Sequence, residues 1–253
     1  MAQTRFGSVW SLVATGATII AAPRVSSPAA ETISIRVHEG TTLAFDLSPD
    51  GRTIVFDLLG QLWELPSAGG DARAVTNAVR DTAEDLDPSW SPDGRRIVFR
   101  GERRGRTGLW LLEPGSGAPR QLTQLKNPDG YEGNAAWSPD GKAILFARFL
   151  PPDSADKRWR SRLAQVDAVT GAVRDVAVAD TVGRNLRDPA WEPGGRRFAV
   201  VAAAARSDRG GRIWMVETGS GSATPLTAES VQAVAPAFAP DGRRLAFFAP
   251  DSA

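Results

Sequence analysis

Five short segments that combine a turn-forming proline with glycine recur along this chain of 253 residues. They share one four-residue form: Ser48-Pro49-Asp50-Gly51, Ser91-Pro92-Asp93-Gly94, Ser138-Pro139-Asp140-Gly141, Glu192-Pro193-Gly194-Gly195 and Ala239-Pro240-Asp241-Gly242. Proline presets φ, aspartate can accept hydrogen bonds from its own backbone, and glycine accepts positive φ, so each segment predicts a tight turn. The third positions fall at 50, 93, 140, 194 and 241, so the spacing is 43, 47, 54 and 47 residues. A repeat of that length is typical of a propeller or another array of small units.

Each turn lies between two short apolar runs, which predicts a pair of antiparallel strands. A third and a fourth run follow in every complete unit, for example Gly108–Leu112 and Gln121–Thr123. Four antiparallel strands form one propeller blade, and a blade needs neighbours to bury its apolar side. The sequence therefore predicts an all-β fold, a β-propeller of four-stranded antiparallel blades. It has four complete blades and a partial fifth, starting near residues 43, 86, 133, 187 and 234, as an incomplete six- or seven-bladed propeller.

The strand before each turn ends in a bulky residue: Leu47, Trp90, Trp137, Trp191 or Phe238. At a fixed place in a repeated sheet, such side chains are expected to pack between neighbouring blades rather than to bind a ligand.

The first 30 residues lie outside the repeat. Arg5, an apolar stretch from Val9 to Ala22 and the small residues Ser27 to Ala30 fit an export signal, and the alternative is a disordered tail. Residues 31–253 form the predicted propeller domain, in which Glu31 to Val37 is a candidate for the strand that closes the ring. Because only one strand follows the fifth turn, we expect the chain to be a piece of a longer protein.

Composition excludes several kinds of chemistry. The chain has no cysteine, which excludes disulfides and thiolate sites. Its one histidine, His38, excludes a metal centre with two imidazoles, and a Ser-His-Asp triad unless His38 itself serves. Thirty basic and 29 acidic side chains leave a net charge of +1, so no nucleic-acid partner is expected. We predict no catalytic residue, metal ligand or cofactor, and no membrane span once a signal is removed.

Two groups of side chains form a candidate interaction surface. Trp159 lies between Arg158 and Arg160 in the longest insertion, and tryptophan and arginine dominate interface hot spots. The alternative is that Trp159 folds back onto its own blade. The second group contains acidic and arginine residues of the second unit: Asp85, Asp87, Arg103, Arg104 and Arg106. Calcium binding by these carboxylates and pairing between the carboxylates and arginines are both open, and pairing is the expected state.

The pattern Trp-Ser-Pro-Asp-Gly-Arg-Arg-Ile-Val-Phe followed by Leu-Trp-Leu-Leu and Arg-Gln-Leu-Thr, in residues 90 to 123, resembles the TolB-like repeats of WD-type propellers. The likeness covers residues 43 to 248. Residues 39–60, with Leu65 to Gly70, are similar to the first blade of exported amidohydrolases, in which a TolB-like propeller precedes a metal-dependent barrel. That resemblance implies a parent hydrolase whose His-x-His metal ligands would lie outside this chain.

Three functions follow as expectations. The first is a non-catalytic propeller module of an exported hydrolase, which docks against or screens a catalytic domain. The second is a stand-alone TolB-like periplasmic propeller that binds protein, and the third is a propeller hydrolase that uses channel carboxylates. In each case we expect a periplasmic or secreted protein, monomeric if the ring is complete.

Overall fold

The strands group into a series of small antiparallel sheets. The computed structural model describes residues 44–77, 83–103, 105–115, 117–125, 130–152, 159–203 and 210–249, and the backbone alone of residues 12–14, 17–19 and 35–36. Within these residues the only helical segment is a single 3₁₀ turn, η1 (Asp180–Val182). The all-β prediction is confirmed.

Four blades have four antiparallel strands each, and strands adjacent in sequence are adjacent in the blade. A parallel bridge between Ser161 and Asn185 joins the third and fourth blades into one eight-stranded sheet. Blade 1 contains β4 (Phe45–Leu47), β5 (Thr53–Leu58), β6 (Gln61–Pro66) and β7 (Arg73–Ala74). Blade 2 contains β8 (Ala83–Trp90), β9 (Ile97–Arg103), β10 (Arg106–Leu112) and β11 (Arg120–Gln121). Blade 3 contains β12 (Tyr131–Trp137), β13 (Ala143–Leu150), β14 (Arg160–Asp167) and β15 (Val173–Asp175). Blade 4 contains β16 (Asn185–Trp191), β17 (Arg197–Ala203), β18 (Arg212–Glu217) and β19 (Ala223–Pro225).

A fifth sheet pairs β20 (Val234–Phe238) with β21 (Leu245–Phe248). The described chain thus has four complete blades and part of a fifth, as the repeat predicts. The first strands of successive blades contact one another, from β4 to β8, β12, β16 and β20, so these strands line the axis of the propeller.

The segment expected to close the ring pairs elsewhere. β3 (Ile35–Arg36) lies parallel to β1 (Leu12–Ala14), which also pairs with β2 (Ala17–Ile19). The expectation that residues 31–37 complete the last blade is therefore wrong for Ile35 and Arg36, because their described pairing is with Leu12 and Val13.

Side-chain hydrogen bonds explain why the Ser-Pro-Asp-Gly sequence forms its turn. The Ser91 hydroxyl donates to Asp93 Oδ1 at 2.5 Å and accepts the N–H of Arg96 at 2.9 Å. Asp93 Oδ1 also accepts the N–H of Arg95 at 3.1 Å. The same bonds recur at Ser48 and Ser138. The serine and the aspartate together accept hydrogen bonds from backbone N–H groups of the turn that joins the first two strands.

The fourth strands end one or two residues earlier than the sequence indicates. In three blades a threonine side chain accepts a backbone hydrogen bond at that point. Leu109 N–H donates to Thr123 Oγ1 at 2.8 Å, and the equivalent bonds join Leu62 to Thr76 and Ile213 to Thr227. In these three blades the threonine thus lies just after the fourth strand and ties it to the third.

The tryptophans before the turns fill the spaces between blades. Trp137 of blade 3 packs in one buried cluster with Val98 and Leu109 of blade 2, and its Nε1 donates to Ser89 O at 3.1 Å. Trp90 lies in an equivalent cluster with Val55 of blade 1. Trp191 packs against the apolar core shared by blades 3 and 4, and its Nε1 donates to Ala136 O. The predicted packing role of these residues is confirmed.

Candidate functional site

The direction of the strands divides the propeller into two faces. Each first strand runs towards its Ser-Pro-x-Gly turn, so these turns share one face, which we call the turn face. The first strands begin at the opposite face, where the loops between second and third strands also lie, and we call this the loop face. Trp159 and Arg160 stand at the start of β14, and Arg106 at the start of β10, so all three belong to the loop face.

Two of the candidate interaction residues are buried. Asp85 has no exposed area, and Arg103, which is 6% exposed, forms an ion pair with Asp85 through Nη2 and Oδ2. The Arg103 guanidinium also lies 5.6 Å from the ring centres of Phe99 and Trp110. This corrects their assignment to an exposed surface: a desolvated carboxylate needs a partner, and the pair is covered by aromatic rings. The expected pairing of acidic and arginine residues is found in this ion pair.

The other candidates have separate positions. Arg106 is exposed, whereas Trp159 and Arg160 are half-buried. Asp87 is half-buried and accepts a hydrogen bond from Arg100 Nε at 3.1 Å. Arg104 and Arg158 lie outside the described residues, as does His38.

One strained position recurs in the strands that line the axis. Asp87, Asn134, Asp188 and Ala235 have φ between 48° and 54°, and each lies within a shift of strand register three residues before the bulky residue. A left-handed conformation is uncommon outside glycine, and aspartate and asparagine adopt it most readily. These β-bulges redirect the first strands beside the axis.

The bulges bring together carboxylates that are distant in sequence. Burial raises the pKa of Asp188, opposed by the N–H of Ala235 and the charge of Arg187, and the negative charge of Asp87 raises it further. Asp87 and Asp188 lie in the first strands of blades 2 and 4, which line the axis. The sequence analysis did not predict that these two residues share a location.

Carboxylates at the junctions between blades accept hydrogen bonds from the backbone of a neighbouring strand. Asp57 accepts the N–H of Ala44 at 3.2 Å and that of Asp87 at 2.9 Å. Asp46 accepts the N–H of Trp90 at 2.7 Å, and Asp188 accepts that of Ala235 at 3.3 Å. Each carboxylate therefore links one blade to the next.

A second buried network joins blades 2 and 3. Glu132, only 1% exposed, accepts hydrogen bonds from Arg148 Nε at 2.9 Å and from the Thr123 hydroxyl. Thr123 Oγ1 in turn accepts a hydrogen bond from the N–H of Leu109. The negative charge of Glu132 is thus balanced by Arg148, and its hydrogen bond with Thr123 joins blade 3 to blade 2.

A groove of about 750 Å³ opens on the loop face, mainly between blades 3 and 4. Two tryptophans, three arginines and one glutamate line it: Trp159, Trp214, Arg160, Arg184, Arg212 and Glu229. We call it the loop-face groove. Its composition, aromatic rings beside guanidinium groups, is that of surfaces that bind other proteins.

Arg212 is held in place within the loop-face groove. Its Nε donates to Thr227 O at 2.8 Å, and its guanidinium carbon lies 5.1 Å from the ring centre of Trp214. No carboxylate of the described residues lies within ion-pair distance of Arg212. Arg212 is therefore a positive group in a fixed orientation, with no ion-pair partner among the described residues.

A second groove, of about 850 Å³, lies on the turn face between blades 3 and 4. Its lining mixes charges of both signs, including Asp140, Lys142, Asp167 and Arg174. We call it the turn-face groove. It contains turns that every blade repeats, so its shape follows from the repeat itself.

No group of three or more acidic, histidine or cysteine side chains comes close enough to hold a metal ion in the described parts of the chain.

Comparison with solved structures identifies the architecture. A putative TolB from Agrobacterium tumefaciens superposes with a TM-score of 0.63 at 22% identity, over 83% of this chain and 70% of that protein. TolB from Acinetobacter baumannii superposes with a TM-score of 0.60 at 18% identity, over 81% of this chain and 48% of that protein. The chain has the TolB-like β-propeller fold.

An enzyme has the same fold. Oligogalacturonate lyase from Vibrio parahaemolyticus superposes on this chain with a TM-score of 0.57 at 15% identity, over 81% of this chain and 58% of the lyase. The present chain thus spans about half to two thirds of the length of most of these proteins. No family model and no curated protein sequence matches it. Identities this low establish the fold and leave function to the residues themselves.

Membrane-spanning helices are not found in the described part of this TolB-like propeller.

Sequence reasoning missed two parts of the candidate site. The sequence analysis did not single out Arg212 and Trp214, although an arginine two residues before a tryptophan at the start of a strand places both near the loop face. The axial pair of Asp87 and Asp188 had a weak signal as well, because each precedes a proline and stands three residues before the tryptophan.

Proposed function

We propose that this TolB-like propeller is a non-catalytic binding module of an exported hydrolase of the amidohydrolase type, in which it docks against or screens the catalytic domain. The loop-face groove carries the proposal. It places Trp159 and Trp214 beside three arginines at the ends of strands, where a rigid sheet positions them. The resemblance of residues 39–70 to the first blade of such hydrolases supports the choice of parent protein. An export signal in residues 1–30 would place the protein in the periplasm or outside the cell.

The carboxylates at the junctions between blades support a role without catalysis. Asp46, Asp57 and Asp188 each accept a hydrogen bond from a backbone N–H of a neighbouring strand. Asp87 accepts a hydrogen bond from Arg100 Nε. A general acid or base must exchange a proton with a substrate, and these groups are occupied in holding the blades.

Two measurements test the proposal. The coding sequence beyond residue 253 is expected to continue into a hydrolase domain in the same reading frame. Hydrogen–deuterium exchange is then compared between the two-domain protein and this chain alone. We expect added protection at residues 159–162 and 210–214, and none at the turn-face residues 138–142. Protection confined to the turn face would contradict the proposal.

A second candidate is a stand-alone periplasmic propeller that binds protein, and the likeness to two TolB structures favours it. A photo-reactive residue at position 159 would then cross-link to a cell-envelope protein, while the same residue at position 173 on the turn face would not. Turnover of an ester or lactone by the purified chain, lost in Asp87→Asn or Asp188→Asn, would instead establish the propeller hydrolase.

A further inference from the structure

The loop-face groove combines a fixed positive group with aromatic surface. Arg212 Nε is bonded to Thr227 O, and its guanidinium lies over Trp214, so the side chain loses little additional freedom when a ligand binds. The planar guanidinium presents several donors at once and suits a carboxylate better than a point charge does.

The charges of the groove favour an anionic partner. Its described lining has the arginines Arg160, Arg184 and Arg212, against the single carboxylate of Glu229. The turn-face groove differs, because there Lys142 and Arg174 stand beside Asp140 and Asp167. The described lining of the loop-face groove thus has more arginines than carboxylates. Arg160 and Arg184 also line a neighbouring pocket with Asp175 and Asp180, so Arg212 is the arginine on which the inference rests.

We propose that the loop-face groove binds an acidic extended segment of a partner protein, with a glutamate or aspartate carboxylate accepting hydrogen bonds from Arg212 and the neighbouring apolar atoms packed on Trp159 and Trp214. This deepens the proposed function, on which it rests, by naming the chemistry of the partner. A peptide segment fits this groove because it carries carboxylates together with apolar side chains, and the groove offers matching surfaces for both.

A labelled peptide that alternates glutamate and serine tests this directly, with a glutamine–serine peptide of the same length as its neutral counterpart. Fluorescence anisotropy measures binding of each to the chain at low and at high salt. We expect the glutamate peptide to bind about tenfold more tightly at low salt, and the difference to shrink as salt screens the charges.

Variants locate the binding. Arg212→Gln is expected to weaken binding of the glutamate peptide about fivefold. Arg212→Lys should weaken it less, because lysine keeps the charge although it lacks the planar donors. Arg174→Gln on the turn face is the matched control, since Arg174 is exposed and bonds only to Gln165 in the described residues. It should leave binding unchanged.

A charge-reversal variant distinguishes loss of the binding site from poor folding. Arg212→Glu should lose the glutamate peptide and gain a lysine–serine peptide, which a misfolded protein would not do. Equal binding of the glutamate and glutamine peptides, or an equal loss in Arg174→Gln and Arg212→Gln, would overturn the inference. Exchange protection of the loop face in the two-domain protein would still support the proposed function in that case, so the two failures are distinguishable.

Discussion

At the scale of single residues, Asp57 is a buried carboxylate at the junction of blades 1 and 2. It is 4% exposed and accepts two backbone N–H groups, from Ala44 and Asp87. Asp57→Ala should reduce the free energy of unfolding by about 2 kcal/mol, because two buried donors lose a charged acceptor. Urea denaturation measures this loss. Asp71→Ala, at an exposed position, is the control, and an equally small effect of both changes would contradict the role of Asp57.

The repeated turns make a second prediction, on pH. Hydrogen bonds from the Ser91 hydroxyl, then from the N–H of Arg95, lower the pKa of Asp93 below its usual 3.8. A lowered pKa in the folded state means that the charged carboxylate stabilises the fold above pH 3.8, and that this is lost as the pH falls through the folded value.

The difference in melting temperature between the wild type and Asp93→Asn should therefore be largest at neutral pH and shrink in acid. Ser91→Ala, which removes the main donor, should flatten the dependence. A difference that stays constant from neutral to acid pH would show that the charge of Asp93 is not involved.

At the scale of strands and blades, the tryptophans fix how sheets stack. Trp137 in β12 contacts Val98 and Leu109 of blade 2 and donates to Ser89 O, and the guanidinium of Arg96 lies 4.8 Å from its ring centre. Trp137→Ala should cost about 3–5 kcal/mol of unfolding free energy, through the cavity left between two blades.

Trp137→Phe keeps most of the apolar contact and loses the indole donor, so about 1 kcal/mol is expected. Trp159→Ala is the matched control, since a tryptophan at the rim of a groove should affect partner binding more than melting. A large loss of stability in Trp159→Ala would show instead that this residue belongs to the core of its blade.

How far the sequence predicts the molecule depends on the range of the interactions. The turns were predictable because Ser91, Asp93 and Gly94 act within one reversal, and the stacking tryptophans because the repeat places them at one position. The pairing of Asp85 with Arg103 follows from adjacent strands of one blade, but the burial of that pair depends on Phe99 and Trp110. Asp87 and Asp188 line the same axis only because the blades turn around it, and no local pattern encodes that angle.

At the scale of the whole molecule, the blades form a series in which each contacts mainly its neighbours. Among the described residues, the exposed aromatic side chains lie at the two ends of this series: Phe45 of blade 1 is 70% exposed, and Phe248 of the fifth sheet is 63% exposed. Phe146 and Phe198, in the second strands of blades 3 and 4, are fully buried. Stability in such an array is approximately a sum of units and their interfaces, so the end sheets have fewer stabilising contacts.

Hydrogen–deuterium exchange of this chain should follow that gradient. We expect the slowest exchange in β13 and β17, which have blades on both sides, and the fastest in β4 and β21, because an end sheet can open without breaking the central interfaces. Phe146→Ala should speed exchange across blades 2 to 4, whereas Phe248→Ala should change only the fifth sheet. Uniform exchange in all five sheets would mean that the array opens as one cooperative unit, with the end sheets as firmly held as the central ones.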